Sequence, residues 1–298
     1  MGKVVMRRGS SGEGQMRRRR PTWDYRLASP VLLVVLIAFG PAPAQQTQPP
    51  TLDEILQKLE ANLDHYDSSL PSLFCDEHVV SQVSPNPRKQ DTVTDSVFRV
   101  KRVVNPNHTT TLDESREVRT VNDRPATSQE IAGPTVISGA FEGALAVVSL
   151  SQRACMNYTL ERPRHYDPQA PIVVRFSSLL TPQNTAGCLL QEEGKGRVFI
   201  DPATMQITRM ELTTPHHTIS SGSRYSPPTM GDRVLSVDYA PVLLEGQTFW
   251  LPATITSTVT SGRGTFHAVV WSFKATYRNF HKLEVTSRIV PAEDSPKP

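Results

Sequence analysis

The sequence contains no apolar run long enough to cross a membrane as a helix. Its most apolar stretch runs from Val31 to Phe39 and lies between Pro30 and Gly40-Pro41. A helical span needs roughly 20 apolar residues, and this stretch has about half of them. It is therefore too short for an anchor, and its length is typical of the apolar segment of a secretory signal peptide.

The sequence also lacks the short motifs that place catalytic or cofactor-binding groups. It has no Cys-x-x-Cys or His-x-x-x-His pair for a metal, no Gly-x-Ser-x-Gly elbow and no phosphate-binding loop. Adjacent His216 and His217 would point to opposite faces of a strand, and Cys75 near His78 has no third residue to orient it. We therefore expect a non-catalytic protein with no metal or cofactor.

Cysteine is scarce, with three residues at Cys75, Cys155 and Cys188. In an oxidising compartment two of them are expected to form a disulfide, and three pairings are open. We favour Cys155–Cys188, because strand-like segments flank both cysteines and the loop between them is of moderate length. Cys75 would then be a small buried side chain beside Phe74, or the partner of a cysteine in another chain.

The N-terminal segment has the order of features found in signal peptides. Arg17 to Arg20 precede the apolar stretch, and Ala42-Pro43-Ala44 places small residues where signal peptidase cleaves. The signal peptide would cover residues 1–44, with Gln45 as the first mature residue and either Met1 or Met16 as the start. We therefore expect a periplasmic or secreted protein with no transmembrane anchor after cleavage.

Positive charge is also scarce once that segment is removed. Residues 1–44 hold 8 of the 32 basic residues and 2 of the 29 acidic ones, so the remainder carries a net charge of −3. A nucleic-acid-binding protein needs a basic surface, so the composition argues against a nucleic-acid partner.

One amphipathic helix is predicted near the start of the mature chain. Thr51 and Glu54 have the spacing of a capping box, in which each side chain binds the backbone N–H of the other residue. The residues that follow form an apolar stripe with helical periodicity, which needs a surface to cover. The stripe consists of Leu52, Ile55, Leu56, Leu59 and Leu63.

The rest of the chain is predicted to be mainly β (α+β). Short segments rich in Val, Ile, Thr and aromatic residues alternate with Gly, Pro and Asn turns, which favours an antiparallel sheet. One further short helix is predicted within residues 137–150, and residues 214–230 are predicted to be a loop. The expected organisation is a linker over residues 45–50, a single β-rich domain over 51–290 and a disordered tail over 291–298.

A hairpin in the second half carries a resemblance to a known family. Gly196 to Pro202, followed by Ile207 to Glu211, resembles a hairpin of bacterial outer-membrane lipoprotein-sorting (lipoprotein-carrier) proteins. Trp250-Leu251-Pro252 and Tyr277 to Phe280 resemble segments of uncharacterised bacterial exported proteins. The similarity covers roughly residues 190–290. It implies a strongly bent antiparallel sheet or half-barrel, closed by helices over a concave apolar face that holds acyl chains in the carriers.

These observations lead to two expectations for function. The first is an exported binding protein whose concave sheet holds an apolar ligand or lipid, with the helix as a lid. The alternative is a structural or assembly factor of the cell envelope that acts through protein–protein contacts. A cavity beneath the helix would favour the first, and a filled core the second. The predicted cavity lining is Val198, Ile200, Ile207, Val234, Val237, Ile255 and Val259.

Overall fold

The fold is known from a computed structural model, which describes most of the chain from residue 50 to residue 283. The described ranges are 50–83, 90–104, 110–127, 139, 141, 143–162, 167–219, 229–263 and 266–283. All of them belong to one compact unit over residues 49–298. The predicted signal peptide and disordered tail lie outside the described residues.

Helix α1 runs from Leu52 to Ser69, as its sequence pattern predicts. The Thr51 N–H donates to Glu54 Oε2 at 2.7 Å, and the Glu54 N–H donates to Thr51 Oγ1 at 3.3 Å, which completes the capping box. The C-cap residue after Ser69 is Leu70, whose backbone is extended and which is fully buried. None of the helices in the described ranges is long and apolar enough to cross a membrane.

The described strands form one antiparallel sheet of eleven strands, in the order β4-β3-β2-β1-β11-β10-β9-β8-β7-β6-β5. Every neighbouring pair in the sheet follows directly in the chain except β1 and β11, which join the two ends of the domain. The strands are Leu73–Val83 (β1), Gln90–Val104 (β2), Thr110–Val121 (β3), Arg124–Pro125 (β4), Met156–Glu161 (β5), Ile172–Ser178 (β6), Lys195–Ile200 (β7), Ile207–Ile219 (β8), Thr229–Leu244 (β9), Gln247–Arg263 (β10) and Phe266–Lys282 (β11).

One of the secondary-structure predictions needs correction. The predicted loop over residues 214–230 is strand at both ends, since β8 continues to Ile219 and β9 begins at Thr229, and residues 220–228 lie outside the described ranges. A shift in register between Thr214 and His217 lets β8 continue past Pro215 as a bulge. The prediction of one further short helix is confirmed: α2 spans Gly143–Ala146 and is followed by a 3₁₀ turn over Leu150–Gln152.

The sheet has to bend around α1 for geometric reasons. Laid flat, eleven strands spaced about 4.8 Å apart would be roughly 48 Å wide, whereas the 18 residues of α1 span about 27 Å. One hydrophobic cluster nevertheless includes Ile55 of α1, Phe98 of β2 and Val174 of β6. The sheet is therefore an open half-barrel with α1 over its concave face, and β4 and β5 are its edges. The predicted fold class is confirmed.

Candidate functional site

The candidate site is the interior between α1 and the concave face of the sheet. On the helix side, Ile55, Leu56 and Leu59 are each at most 2% exposed. Leu52 and Leu63 are partly buried and pack against the same hydrophobic cluster. The apolar stripe predicted from the sequence therefore lies on the interior face of α1.

Six of the seven residues predicted to line the sheet side are buried. The seventh, Val234, is not. It lies three positions before Val237 on the same strand, and Val237 faces inward. Because neighbouring side chains of a strand alternate between faces, Val234 points outward and is 48% exposed. Its assignment to the lining is therefore wrong. The buried residues are Val198, Ile200, Ile207, Val237, Ile255 and Val259.

The space beneath α1 is small. A cavity of about 20 Å³ lies between Leu59, Leu63 and Tyr66 of α1 and Ile207 and Trp250 of the sheet. Such a volume holds about one water molecule. At this position the interior is filled by side chains, and an acyl chain would enter only if α1 moved.

Two polar contacts connect α1 to turns outside the strands. Asn62 donates from Nδ2 to the Met205 carbonyl oxygen at 2.6 Å, in the turn between β7 and β8. Glu60 accepts from the Leu150 N–H at 2.8 Å, in the 3₁₀ turn. Elsewhere on this face α1 presents apolar side chains, apart from Tyr66, whose hydroxyl donates to the Phe141 carbonyl oxygen at 3.4 Å.

A buried ion pair lies on the concave face near β3. Arg116 Nε is 2.9 Å from both carboxylate oxygens of Glu77, and the side chain of Glu77 has no exposed surface. The guanidinium of Arg116 lies 4.5 Å above the ring of Phe98. Burial raises the pKa of Glu77, and the Arg116 charge opposes that rise. No sequence motif predicts this pair, although β3 carries charged residues at positions that face both sides of a strand.

Phe141 forms an aromatic cover beside this ion pair together with Phe98 and Tyr277. Its ring stacks on Phe98, with centroids 4.9 Å apart, and meets Tyr277 edge to face at 5.5 Å. Glu114 holds the segment in place, because its carboxylate accepts hydrogen bonds from the Gly139 N–H at 2.8 Å and the Phe141 N–H at 3.2 Å. The ion pair and its aromatic cover thus close this part of the interior.

The cysteines take the arrangement that the sequence favoured. Cys155 and Cys188 form a disulfide with a Cα–Cα distance of 5.6 Å. Cys75 is a free cysteine, fully buried on β1. Burial, and secondarily the charge of Glu77, raises the pKa of its thiol to about 12, so the thiol stays neutral.

The convex face carries a polar cleft of about 640 Å³, which includes His78, Asp95, Arg119 and Arg278. His78 Nδ1 is 2.8 Å from Asp95 Oδ1, and this hydrogen bond lowers the pKa of Asp95. Within the described part of the chain, no hydroxyl or thiol is hydrogen-bonded to the other ring nitrogen of His78. The pair therefore lacks the nucleophile of a catalytic triad.

The adjacent histidines in β8 do not form a metal site. His217 Nδ1 is 2.8 Å from Glu192 Oε2, while His216 is exposed and has a positive φ of 59° at the bulge. Across the described ranges no group of three or more His, Cys, Asp or Glu side chains could hold a metal ion.

Comparisons with known proteins give structural likenesses only. No protein-family model matches the sequence, and no curated protein is similar to it. The fold is similar to that of a LolA superfamily protein from Nitrosomonas europaea, with a TM-score of 0.33, 10% identity and coverage of 78% of this chain and 94% of the other.

Two further solved structures are similar at the same level. One is a domain described as an outer membrane lipoprotein-sorting protein from Vibrio parahaemolyticus, with a TM-score of 0.34, 12% identity and coverage of 76% and 90%. The other is a DUF1329 family protein from Desulfovibrio piger, with a TM-score of 0.39, 10% identity and coverage of 78% and 93%.

Proposed function

We propose that this chain is an exported, non-catalytic binding protein that encloses an apolar ligand or lipid between α1 and the concave sheet. One observation carries the proposal: the helix stripe and five of the six buried lining residues belong to, or pack against, one hydrophobic cluster. Such an interior binds hydrocarbon through the hydrophobic effect, which contributes about 25 cal/mol for each Å² of apolar surface buried.

In this proposal α1 acts as a lid. The cavity of about 20 Å³ beneath it is too small for a hydrocarbon chain, so binding requires α1 to move outward. Its polar contacts at Asn62 and Glu60 are made to turns, so breaking them leaves the sheet pairing intact. The short connection from Leu70 to Ser72 would be the hinge.

Export is part of the proposal. The disulfide between Cys155 and Cys188 supports it, because disulfides persist in oxidising compartments such as the periplasm. The order of features over residues 17–44 supports it independently, since it is typical of a cleaved signal peptide.

The lid is tested by removing one of its tethers. Asn62→Ala deletes the hydrogen bond to the Met205 carbonyl, so the variant should take up a fluorescent hydrocarbon such as diphenylhexatriene faster than the wild type. Gln57→Ala is the matched control, because Gln57 is exposed on the same helix and should leave the rate unchanged. Stopped-flow fluorescence measures both rates. Identical uptake rates in all three proteins would contradict a lid role for α1.

The second candidate, an envelope scaffold, is favoured by the filled interior and by exposed apolar side chains on the strands. Leu243 is 70% exposed, Met230 58% and Val104 56%. A scaffold would bind no hydrocarbon, even in the Asn62→Ala variant. The uptake measurement therefore also separates the two candidates.

A further inference from the structure

We propose that the enclosed ligand carries an uncharged hydrogen-bond acceptor, such as an ester carbonyl, which binds the hydroxyl of Tyr239. This inference rests on the proposed function and specifies the chemical class of the ligand. It predicts that an acyl ester binds more tightly than either a plain hydrocarbon or an ionised fatty acid of the same chain length.

The observation behind it is a buried hydroxyl without a hydrogen bond. Tyr239 lies on β9, is 6% exposed and belongs to the hydrophobic cluster beneath α1. Within the described ranges its hydroxyl oxygen is buried and has no hydrogen-bond partner. Buried polar groups are nearly always paired, because a donor removed from water without a new acceptor is destabilising.

The backbone around Tyr239 offers a ligand no donor that competes with this hydroxyl. The residue opposite Tyr239 on β10 is Pro252, which is buried and has no backbone N–H. Backbone N–H groups of strands point within the sheet plane, so a ligand over this part of the concave face would meet the Tyr239 phenol as a donor.

Tyr239 also lies close to the lid. Burial raises the pKa of its phenol, and proximity to Tyr66 on α1 adds to the rise. Tyr66 lines the small cavity beneath α1, and its own hydroxyl donates to the Phe141 carbonyl at 3.4 Å. Movement of α1 would therefore enlarge the interior next to Tyr239.

The charges of the interior favour an uncharged acceptor. Arg116, a cation on this face, is already bound by both carboxylate oxygens of Glu77. Arg233, whose Nε is buried without a hydrogen-bond partner within the described ranges, lies six positions before Tyr239 on β9, roughly 20 Å away along the strand. An ionised carboxylate beside Tyr239 would be desolvated without a counter-charge, which is strongly unfavourable. An ester carbonyl accepts the same hydrogen bond without that cost.

The test compares three ligands of equal chain length, hexadecane, methyl palmitate and palmitate, at about pH 8, where the fatty acid is ionised. Displacement of diphenylhexatriene gives the affinities for the wild type and Tyr239→Phe. The control variant is Tyr158→Phe, because Tyr158 is also largely buried but its hydroxyl donates to the Val147 carbonyl at 2.7 Å.

We expect the wild type to bind methyl palmitate more tightly than the other two ligands. Tyr239→Phe should weaken methyl palmitate binding about fivefold to tenfold, as expected for one hydrogen bond, and leave hexadecane binding unchanged. Its melting temperature should stay level or rise, because the substitution removes an unpaired buried hydroxyl. Tyr158→Phe should lower the melting temperature and leave all affinities unchanged.

The failures of the two proposals are distinguishable. If the wild type binds none of the three ligands, the proposed function fails, and this inference with it. If the wild type binds hexadecane and methyl palmitate but Tyr239→Phe binds both as tightly, the proposed function stands and the inference is overturned. A fall in the melting temperature of Tyr239→Phe like that of Tyr158→Phe would also overturn it, because the hydroxyl would then have a partner in the unliganded protein.

Discussion

In strand β1, burial decides which side chains can react with one another, and the sequence alone does not show it. Cys75 and His78 are close in sequence, but β1 places them on opposite faces, with Cys75 in the core and His78 exposed. Glu77, between them, points inward to Arg116. Alternation along the strand separates the thiol from the imidazole, and only the strand register reveals it.

Cys75 should be unreactive in the folded protein. Its thiol is buried and its pKa is raised to about 12, so almost no thiolate exists at about pH 8. Iodoacetamide should modify Cys75 only after unfolding in denaturant, and a peptide map made without reduction should link Cys155 to Cys188. Alkylation of Cys75 at native conditions, or a disulfide that includes it, would contradict the structure.

Removing Glu77 should be far more costly than removing an exposed partner from a neighbouring ion pair. Glu77→Ala deletes the bidentate partner of a buried guanidinium, and we expect the free energy of unfolding to fall by about 3–5 kcal/mol. Glu117→Ala removes the partner of Arg99 on the exposed side of the same sheet and should change the stability little, because solvent screens the exposed pair. Urea unfolding measures both free energies. Equal losses would show that the buried pair stabilises the fold no more than the exposed pair does.

At the scale of elements, local signals predicted α1 well and the strands less well. The capping box at Thr51 and the periodic stripe depend on residues within a few positions of one another, so the sequence alone indicates them. Strand facing depends on pairing with distant segments. Val234 and Val237 are both predicted to face inward, although an offset of three residues puts them on opposite faces of the strand.

Leu59 tests the burial of α1 directly. Leu59→Asp places a charge at a position that is 1% exposed, so the free energy of unfolding should fall by at least about 3 kcal/mol. Gln57→Asp puts the same charge on the exposed face of the helix and should have little effect. Chemical denaturation checks the difference. If Leu59→Asp is tolerated as well as Gln57→Asp, α1 does not pack on the sheet.

At the scale of the whole molecule, the alternation of short β segments and turns predicted the open antiparallel sheet. The interior was predicted only in part, because side-chain volumes decide whether a concave sheet holds a cavity. Here Phe98, Phe141 and Tyr277 fill one end of the interior, and no local pattern in the sequence indicates that they meet. The buried ion pair beside them was missed for the same reason.

Export makes a prediction about the mature chain. Expressed in a bacterial host with its complete N-terminus, the protein should be recovered beginning at Gln45 or within a few residues of it. N-terminal sequencing of the protein from the periplasm or medium measures this. An intact N-terminus on a membrane-embedded chain would contradict the proposal of a cleaved signal peptide.

The central claim is that the interior between α1 and the sheet holds an apolar ligand. Native mass spectrometry of the protein purified from its own cell envelope tests this claim most directly. We predict a species heavier than the polypeptide by the mass of one lipid, which organic extraction removes and re-addition of that lipid restores. Recovery of the bare polypeptide alone, with no lipid bound after incubation with an envelope lipid extract, would contradict the claim.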